Sequence, residues 1–377
     1  MFHLPHKIKA AVAGFSVYSL LVLVFLLLAG CGSQEVKEEK QVFAYPPPPD
    51  KARFYYEGTL RSSFDIKLIS ATDKLRLFAT GSLGTSQFLA KPWGVAVHHG
   101  RVYVTDTVRR AVVMFNVPGR QFKIFGTEGL GALRKPIGIA TSPDGEVYVA
   151  DNTARTVVVF DKDGNYLRDI GNRTIFRRPS GVAVSPDGSK VYVIDTGGIE
   201  TQEHHLFILD AHTGALIRTV GTRGNKEGEF NLPLQVATSK KDGTVYVTDA
   251  GNFRVEAFMP NGDFKMAFGQ VGRRSGDFAR PKGIATDKNG NIYVVDAAYG
   301  NFQIFTDKAQ LLMFIGQRGN QNNPGHYMLP AGIAVDGDGR VYVVDQFFRK
   351  VDVFRPADLP ENAGYLGGEF QKKHGEM

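Results

Sequence analysis

Val-Tyr-Val-Thr-Asp106, Val-Tyr-Val-Ala-Asp151, Val-Tyr-Val-Ile-Asp195, Val-Tyr-Val-Thr-Asp249, Ile-Tyr-Val-Val-Asp296 and Val-Tyr-Val-Val-Asp345 are six versions of one pentapeptide, and their recurrence decides the fold. A proline stands about fifteen residues ahead of each aspartate, at Pro92, Pro136, Pro179, Pro233, Pro281 and Pro330, with spacings of 44, 43, 54, 48 and 49 residues. Each proline leads a short Val/Ile/Ala run. A third run follows the aspartate and usually closes on phenylalanine, at Phe115, Phe160, Phe258, Phe305 and Phe354. A fourth closes on Gly126, Gly171, Gly221, Gly269 or Gly316. β-Branched and aromatic side chains dominate these runs, as buried strands require. Between the first two runs lie Asp144-Gly145, Asp187-Gly188, Asp242-Gly243, Asn289-Gly290 and Asp338-Gly339, whose glycines supply the positive φ of a tight hairpin.

No segment beyond residue 90 sustains a 3.6-residue apolar period, which excludes helical repeats and βαβ units. Four antiparallel strands per ~45 residues, six times over, specify an all-β fold, a six-bladed β-propeller of four-stranded antiparallel blades. One such sheet has two apolar faces, and stacking six around an axis buries both. The last unit stops one strand short, at Phe354-Arg355-Pro356. Arg53-Phe54-Tyr55-Tyr56-Glu57-Gly58 carries the missing pattern, so an N-terminal strand is expected to close the ring and leave no open edge. Gly364-Tyr365-Leu366-Gly367 is the second candidate. The propeller then spans 53–356, with residues 61–90 an insertion holding a short helix around Asp73 to Phe78, and 357–377 a loosely ordered tail.

Pro-x-Gly-h-Ala, h-Tyr-Val-h-Asp and Asn-x-Arg-h-x-h-Phe (h, hydrophobic) together resemble the NHL repeat. The second half is plainest in the fourth unit, Asp249-Ala-Gly-Asn252-Phe-Arg254-Val-Glu-Ala-Phe258. The resemblance runs over about residues 90–355. Gln235 replaces the glycine of unit four, most units lack the Asn-x-Arg tripeptide, and unit three has extra loop residues from Gly198 to Gln202.

With 43% hydrophobic and 22% charged residues over 377 positions there is ample core material, and one cysteine excludes a disulfide-built module. Lys7 and Lys9 precede Ala10–Gly30, an apolar stretch broken only by Ser16 and Ser19 and long enough to span a bilayer. It ends in Leu28-Ala29-Gly30-Cys31, which resembles the lipobox of bacterial lipoproteins. That resemblance implies a signal peptide at 1–30, cleavage before Cys31, lipid attachment at the Cys31 sulfur, and acylation of the new amine. Several acyl chains make a durable membrane anchor. The expected location is the cell envelope, and Gly32-Ser33 in place of an aspartate favours the outer over the inner membrane by the enterobacterial sorting rule. Loss of Lys7 and Lys9 lowers the formal charge from +7 to +5. Residues 31–52 read as a tether, charged at first and then stiffened by Pro46 to Pro49 into an extended stalk.

In such blades the loops from strand four to the next strand one emerge beside the loops from strand two to strand three, and the Asp-Gly hairpins emerge at the other end. The residues before the prolines include Lys91, Lys135, Arg178 and Arg280, and the loops after the aspartates add Arg109, Arg110, Arg155, Tyr299, Phe347 and Arg349. Trp93 and Lys282, which follow their prolines, should rim the central channel with Ile137, Ser180, Leu234 and Ala331. One end is therefore cationic and aromatic, a docking surface for an acidic partner such as another envelope protein. The repeat aspartates read as turn caps.

Catalytic chemistry has little support. His98 and His99 fall at the opposite end, and His204, His205, His212 and His326 lie at no spacing that demands a metal. Peptide-amidating lyases share the repeat and use channel histidines, for which His326 or His205 would be the counterparts. Asp161-x-Asp163-Gly164 and Asp336-x-Asp338-Gly339 lack most ligands of a calcium loop and read as hairpin turns. Tripartite-motif NHL domains bind RNA on a basic face, but an envelope protein would rarely meet RNA, so no nucleic acid is expected. The expectation is a noncatalytic protein-binding scaffold with no cofactor and no metal. The alternative is a metal-dependent lyase or lactonase-like hydrolase with its site at the central channel.

Overall fold

The computed structural model describes residues 42–67, 71–81, 86–198 and 200–367. The leader, Cys31 and the charged half of the tether lie outside the described residues. The propeller belongs to the compact unit that begins at Phe43.

The blade sheets are antiparallel, and in blades 1 to 5 the strands are ordered along the chain from the inside outward, as in blade 1, Pro92–His98, Arg101–Asp106, Ala111–Asn116 and Gln121–Phe125. Blades 2 to 5 repeat this from Pro136, Pro179, Pro233 and Pro281. The innermost strands are neighbours all the way round, with blade 6 meeting blade 1. The all-β, six-bladed reading therefore holds.

The core lies between blades, because successive residues of a strand point to opposite faces. Val95, Val104 and Val113 pack with Tyr342, Val344 and Val351 of blade 6, while Ala96, Tyr103 and Val112 pack with Val147, Val149 and Val158 of blade 2. Each fully buried valine contributes roughly 1.5–3 kcal/mol relative to exposure. The Asp-Gly turns between strands adopt the expected left-handed backbone, for instance φ +90° at Gly145 and +84° at Gly164.

Blade 6 comprises Pro330–Val335, Val341–Asp345 and Lys350–Pro356, completed by Phe54–Leu60 from the N-terminus. Phe54 pairs with Pro356 and Leu60 with Val351, with a bulge at Glu57. Closure is thus by the expected segment, and the second candidate forms a turn instead.

Two expectations are corrected. Pro46 to Pro49 do not form a stalk, because Ala44–Tyr45 adds a fifth strand beside Phe54 and Tyr55, and the prolines fill the turn between. Aromatic packing of Phe43 on Tyr56 and of Tyr45 on Phe354 holds that hairpin down, and the Tyr45 hydroxyl donates to the Pro324 carbonyl. The described part of the tail is likewise packed. Leu366 is fully buried, Tyr365 stacks on His99, and Arg340 donates to the Ala363 carbonyl. The insertion holds a helix, Ala71–Thr80, wider than the stretch expected.

Candidate functional site

The six repeat aspartates build one end of the propeller. Each is at most 1% exposed, and its carboxylate accepts backbone N–H groups from the loop ahead of its proline. Asp106 takes Ala90 and Lys91, Asp151 takes Arg134 and Lys135, Asp195 takes Arg177 and Arg178, and Asp296 takes Ala279 and Arg280. Asp345 takes Met328 and Leu329, and Asp249 takes Asn231. The same carboxylates also hold the loop that follows strand two, through Val108 and Arg109 on Asp106 and Thr153 and Ala154 on Asp151. A carboxylate is needed because one neutral side chain cannot accept that many amides. Burial nonetheless pushes the Asp195 and Asp249 carboxyls above the usual carboxylate range.

These staples bring the sequence-predicted residues to a single end. Lys91, Lys135, Arg178 and Arg280 hang from stapled amides with exposed side chains, and Arg110, Arg155 and Arg349 are exposed in the adjoining loops. None of the seven forms an ion pair among the described residues. At the hairpin end several cations are paired. There Arg101 meets Asp163, Arg218 meets Asp263, Lys241 meets Asp307 and Lys265 meets Asp242. Lys162, Lys240, Lys288 and Lys308 are exposed at that end without an ion pair among the described residues.

Three predicted residues are tied into the scaffold. The Arg109 guanidinium donates to the Phe88 carbonyl at 2.9 Å, the Tyr299 hydroxyl donates to the Gly272 carbonyl, and Lys282 is buried. Phe347 stays 58% exposed, edge-on to Phe348. Sequence reading missed the exposed Phe88, Val108, Leu130 and Val271, which stand in loops of this same end. It also passed over the first member of the pairs Arg134-Lys135 and Arg177-Arg178, a dibasic signal visible in the chain. Of these, Arg177 is engaged by Glu203.

The residues after the prolines ring the axis. Here each inner strand approaches the next blade so closely that a Cβ at Gly94 would lie 2.6 Å from the Ile137 carbonyl oxygen, and one at Gly332 2.6 Å from that of Trp93. Where Gln235 stands in the glycine position, its amide donates to the Ser180 carbonyl of blade 3. From the hairpin end a cavity of about 490 Å³ runs up between the inner strands, with His98, His99, Lys240 and Tyr365 at its mouth. Burial, then His99 and the nearby cations Arg101, Lys162 and Lys240, lower His98 to about 4, so it is neutral at physiological pH. His204 is buried, with its ring nitrogens against the Gly198 and Phe230 carbonyls and the Leu232 amide, His205 bonds the Gly221 carbonyl, and His326 meets Gln317. Among the described residues no three His, Cys, Asp or Glu side chains gather to hold a metal ion. Asp161 and Asp336 accept amides of their own turns.

Residues 133–160 and 278–306 match the NHL repeat. The segments cover the first three strands of blades 2 and 5. No curated protein sequence matches the chain. Solved propellers do. A protein of unknown function from Bacteroides thetaiotaomicron is 18% identical with a TM-score of 0.57, over 73% of this chain and 71% of that one. A streptogramin B lyase is 14% identical with a TM-score of 0.52, over 71% and 94%. A gluconolactonase from Xanthomonas campestris is 18% identical with a TM-score of 0.52, over 71% and 86%. At such identities the likeness is one of fold.

Proposed function

We propose that the chain is a membrane-tethered, noncatalytic scaffold whose proline end docks the acidic surface of another cell-envelope protein. The observation that carries this reading is a cluster of seven exposed cations at the proline end, none with an ion-pair partner among the described residues. Lys91, Arg110, Lys135, Arg155, Arg178, Arg280 and Arg349 stand there among exposed apolar side chains, while the hairpin end carries turn aspartates, among them Asp163, Asp242, Asp263 and Asp307, beside its cations. Uncompensated like charge on one face repels itself and raises attraction for a partner of opposite sign. Phe347 and Leu130, the latter 85% exposed, supply the apolar anchors such an interface needs.

A photoreactive residue at position 130 is expected to cross-link, in cells, to an acidic envelope protein, and one at position 213 on the hairpin end is not. Lys135→Glu with Arg178→Glu should weaken that partner's binding about tenfold, since each exposed charge is worth up to ~1 kcal/mol. Cross-links to lipid alone, or binding indifferent to charge reversal and salt, would overturn the reading. Stoichiometric zinc or calcium in the purified protein would instead support the lyase or lactonase alternative.

The tether rests on Leu28-Ala29-Gly30-Cys31. Cys31→Ser is expected to abolish incorporation of labelled fatty acid and to shift the protein out of the membrane fraction. Continued labelling would refute lipidation.

A further inference from the structure

Four lysine and arginine side chains of the described residues are buried: Lys282, Arg340, Lys350 and Arg355. Arg340 pairs with Glu57 and Asp338, Lys350 with Asp352, and Arg355 with Glu57 and Glu361. Lys282 has no carboxylate and no hydrogen bond from its ammonium among the described residues. It is 7% exposed, and its Nζ stands 5.5 Å from the centroid of the Trp93 ring. A cation over an aromatic face is attracted to it, but the ring replaces only part of the lost hydration. Burial, with Arg280 adding to it and Asp345 partly opposing, lowers the Lys282 ammonium to about 8. It therefore remains mostly charged at neutral pH.

The fold does not ask for a charge at that place. The equivalent residues of the other blades are Trp93, Ile137, Ser180, Leu234 and Ala331, none of them ionisable. Ala331 lies between Lys282 and Trp93 in the order of blades, and its small side chain leaves the lysine room to reach the indole. A largely buried cation near the axis with no ion-pair partner among the described residues, ringed by exposed cations farther out, has the form of an anion receptor.

We propose that Lys282 and Trp93 form a carboxylate-receiving site at the centre of the proline end, filled by an acidic side chain or C-terminus of the docked protein. The proposal rests on the docking reading above and adds what the partner inserts. The incoming carboxylate pairs with the Lys282 ammonium and draws it off the indole face, while the outer basic residues hold the rest of the acidic surface.

Trp93 is the only tryptophan in the chain, so tryptophan emission, excited selectively over the tyrosines, reports this site alone. The test titrates the full-length protein with a fluorophore-labelled decaglutamate, following label anisotropy for docking and, with the unlabelled peptide, Trp93 emission for the site. Both signals are expected to saturate together in the wild type. Lys282→Met should lose the emission change and bind about tenfold more weakly, with a melting temperature at or above that of the wild type. Lys135→Glu with Arg178→Glu should shift both curves to higher concentration and keep the emission change. Binding by anisotropy with Trp93 unmoved, or with Lys282→Met indistinguishable from wild type, would overturn the site and leave docking intact. A decaglutamate that fails to bind, or that binds no better than decaglutamine, would overturn both.

Discussion

Asp151→Ala is expected to lower the stability of the propeller by about 4 kcal/mol in urea unfolding. Four backbone amides donate to this carboxylate, those of Arg134, Lys135, Thr153 and Ala154, at 2.5, 3.1, 3.0 and 2.8 Å. Alanine leaves all four without that acceptor. Each buried donor left unmade costs ~1–3 kcal/mol, and water reaching the surface loops offsets part of the sum. The damage also reaches function, because the backbone that aims Lys135 and Arg155 is no longer fixed. Asp151→Asn keeps one acceptor oxygen but turns the other into an amide donor facing donors, so it should recover less than half of the loss. A loss under ~1 kcal/mol for alanine would show that the staple is dispensable and that the loops are held by other contacts.

The staple explains why this end of the molecule was legible in the chain. A proline, an aspartate about fifteen residues later and a basic residue before the proline are local signals, and their sixfold recurrence fixes which loops share an end. Strand identity was legible for the same reason, since Val-Tyr-Val-h-Asp leaves little alternative to a buried strand. What the chain could not reveal is which charges are compensated. Arg110 and Arg101 read alike as exposed basic residues, yet Arg101 faces Asp163 of the next blade and Arg110 pairs with no acid among the described residues. Tyr299 reads as a free aromatic until Gly272, in the loop leading into the same blade, is seen to take its hydroxyl. The proline run misled because a polyproline stretch looks the same whether it is a stalk or a turn. Phe43, Tyr45 and Tyr56 decide the matter by packing across residues far apart in the chain.

Closure of the ring depends on the least legible contact of all, and here the second large effect is expected. Glu57 is the bulged residue of the closing strand, and the bulge turns its side chain inward to Arg340, 283 positions away. The two carboxylate oxygens accept from the guanidinium at 2.7 and 3.1 Å, with Arg340 fully buried and Glu57 2% exposed. Glu57→Ala is expected to destabilise the protein by about 3–5 kcal/mol, because removing one partner of a buried pair strands the other charge in a dry site. Asp338 at 3.3 Å is 21% exposed and offsets only part of that. Glu57→Ala with Arg340→Met removes both charges and should recover most of the stability, since replacing a buried ion pair by apolar groups is often neutral. The loss is local to one strand before it is global. Amide exchange at Tyr55 to Leu60 should therefore accelerate in Glu57→Ala while the inner strands of blades 2 to 4 keep their protection. If the single variant melts with the wild type, or if the double variant is no better than the single, the ring is closed by backbone pairing and aromatic packing alone, and the Glu57–Arg340 pair is incidental.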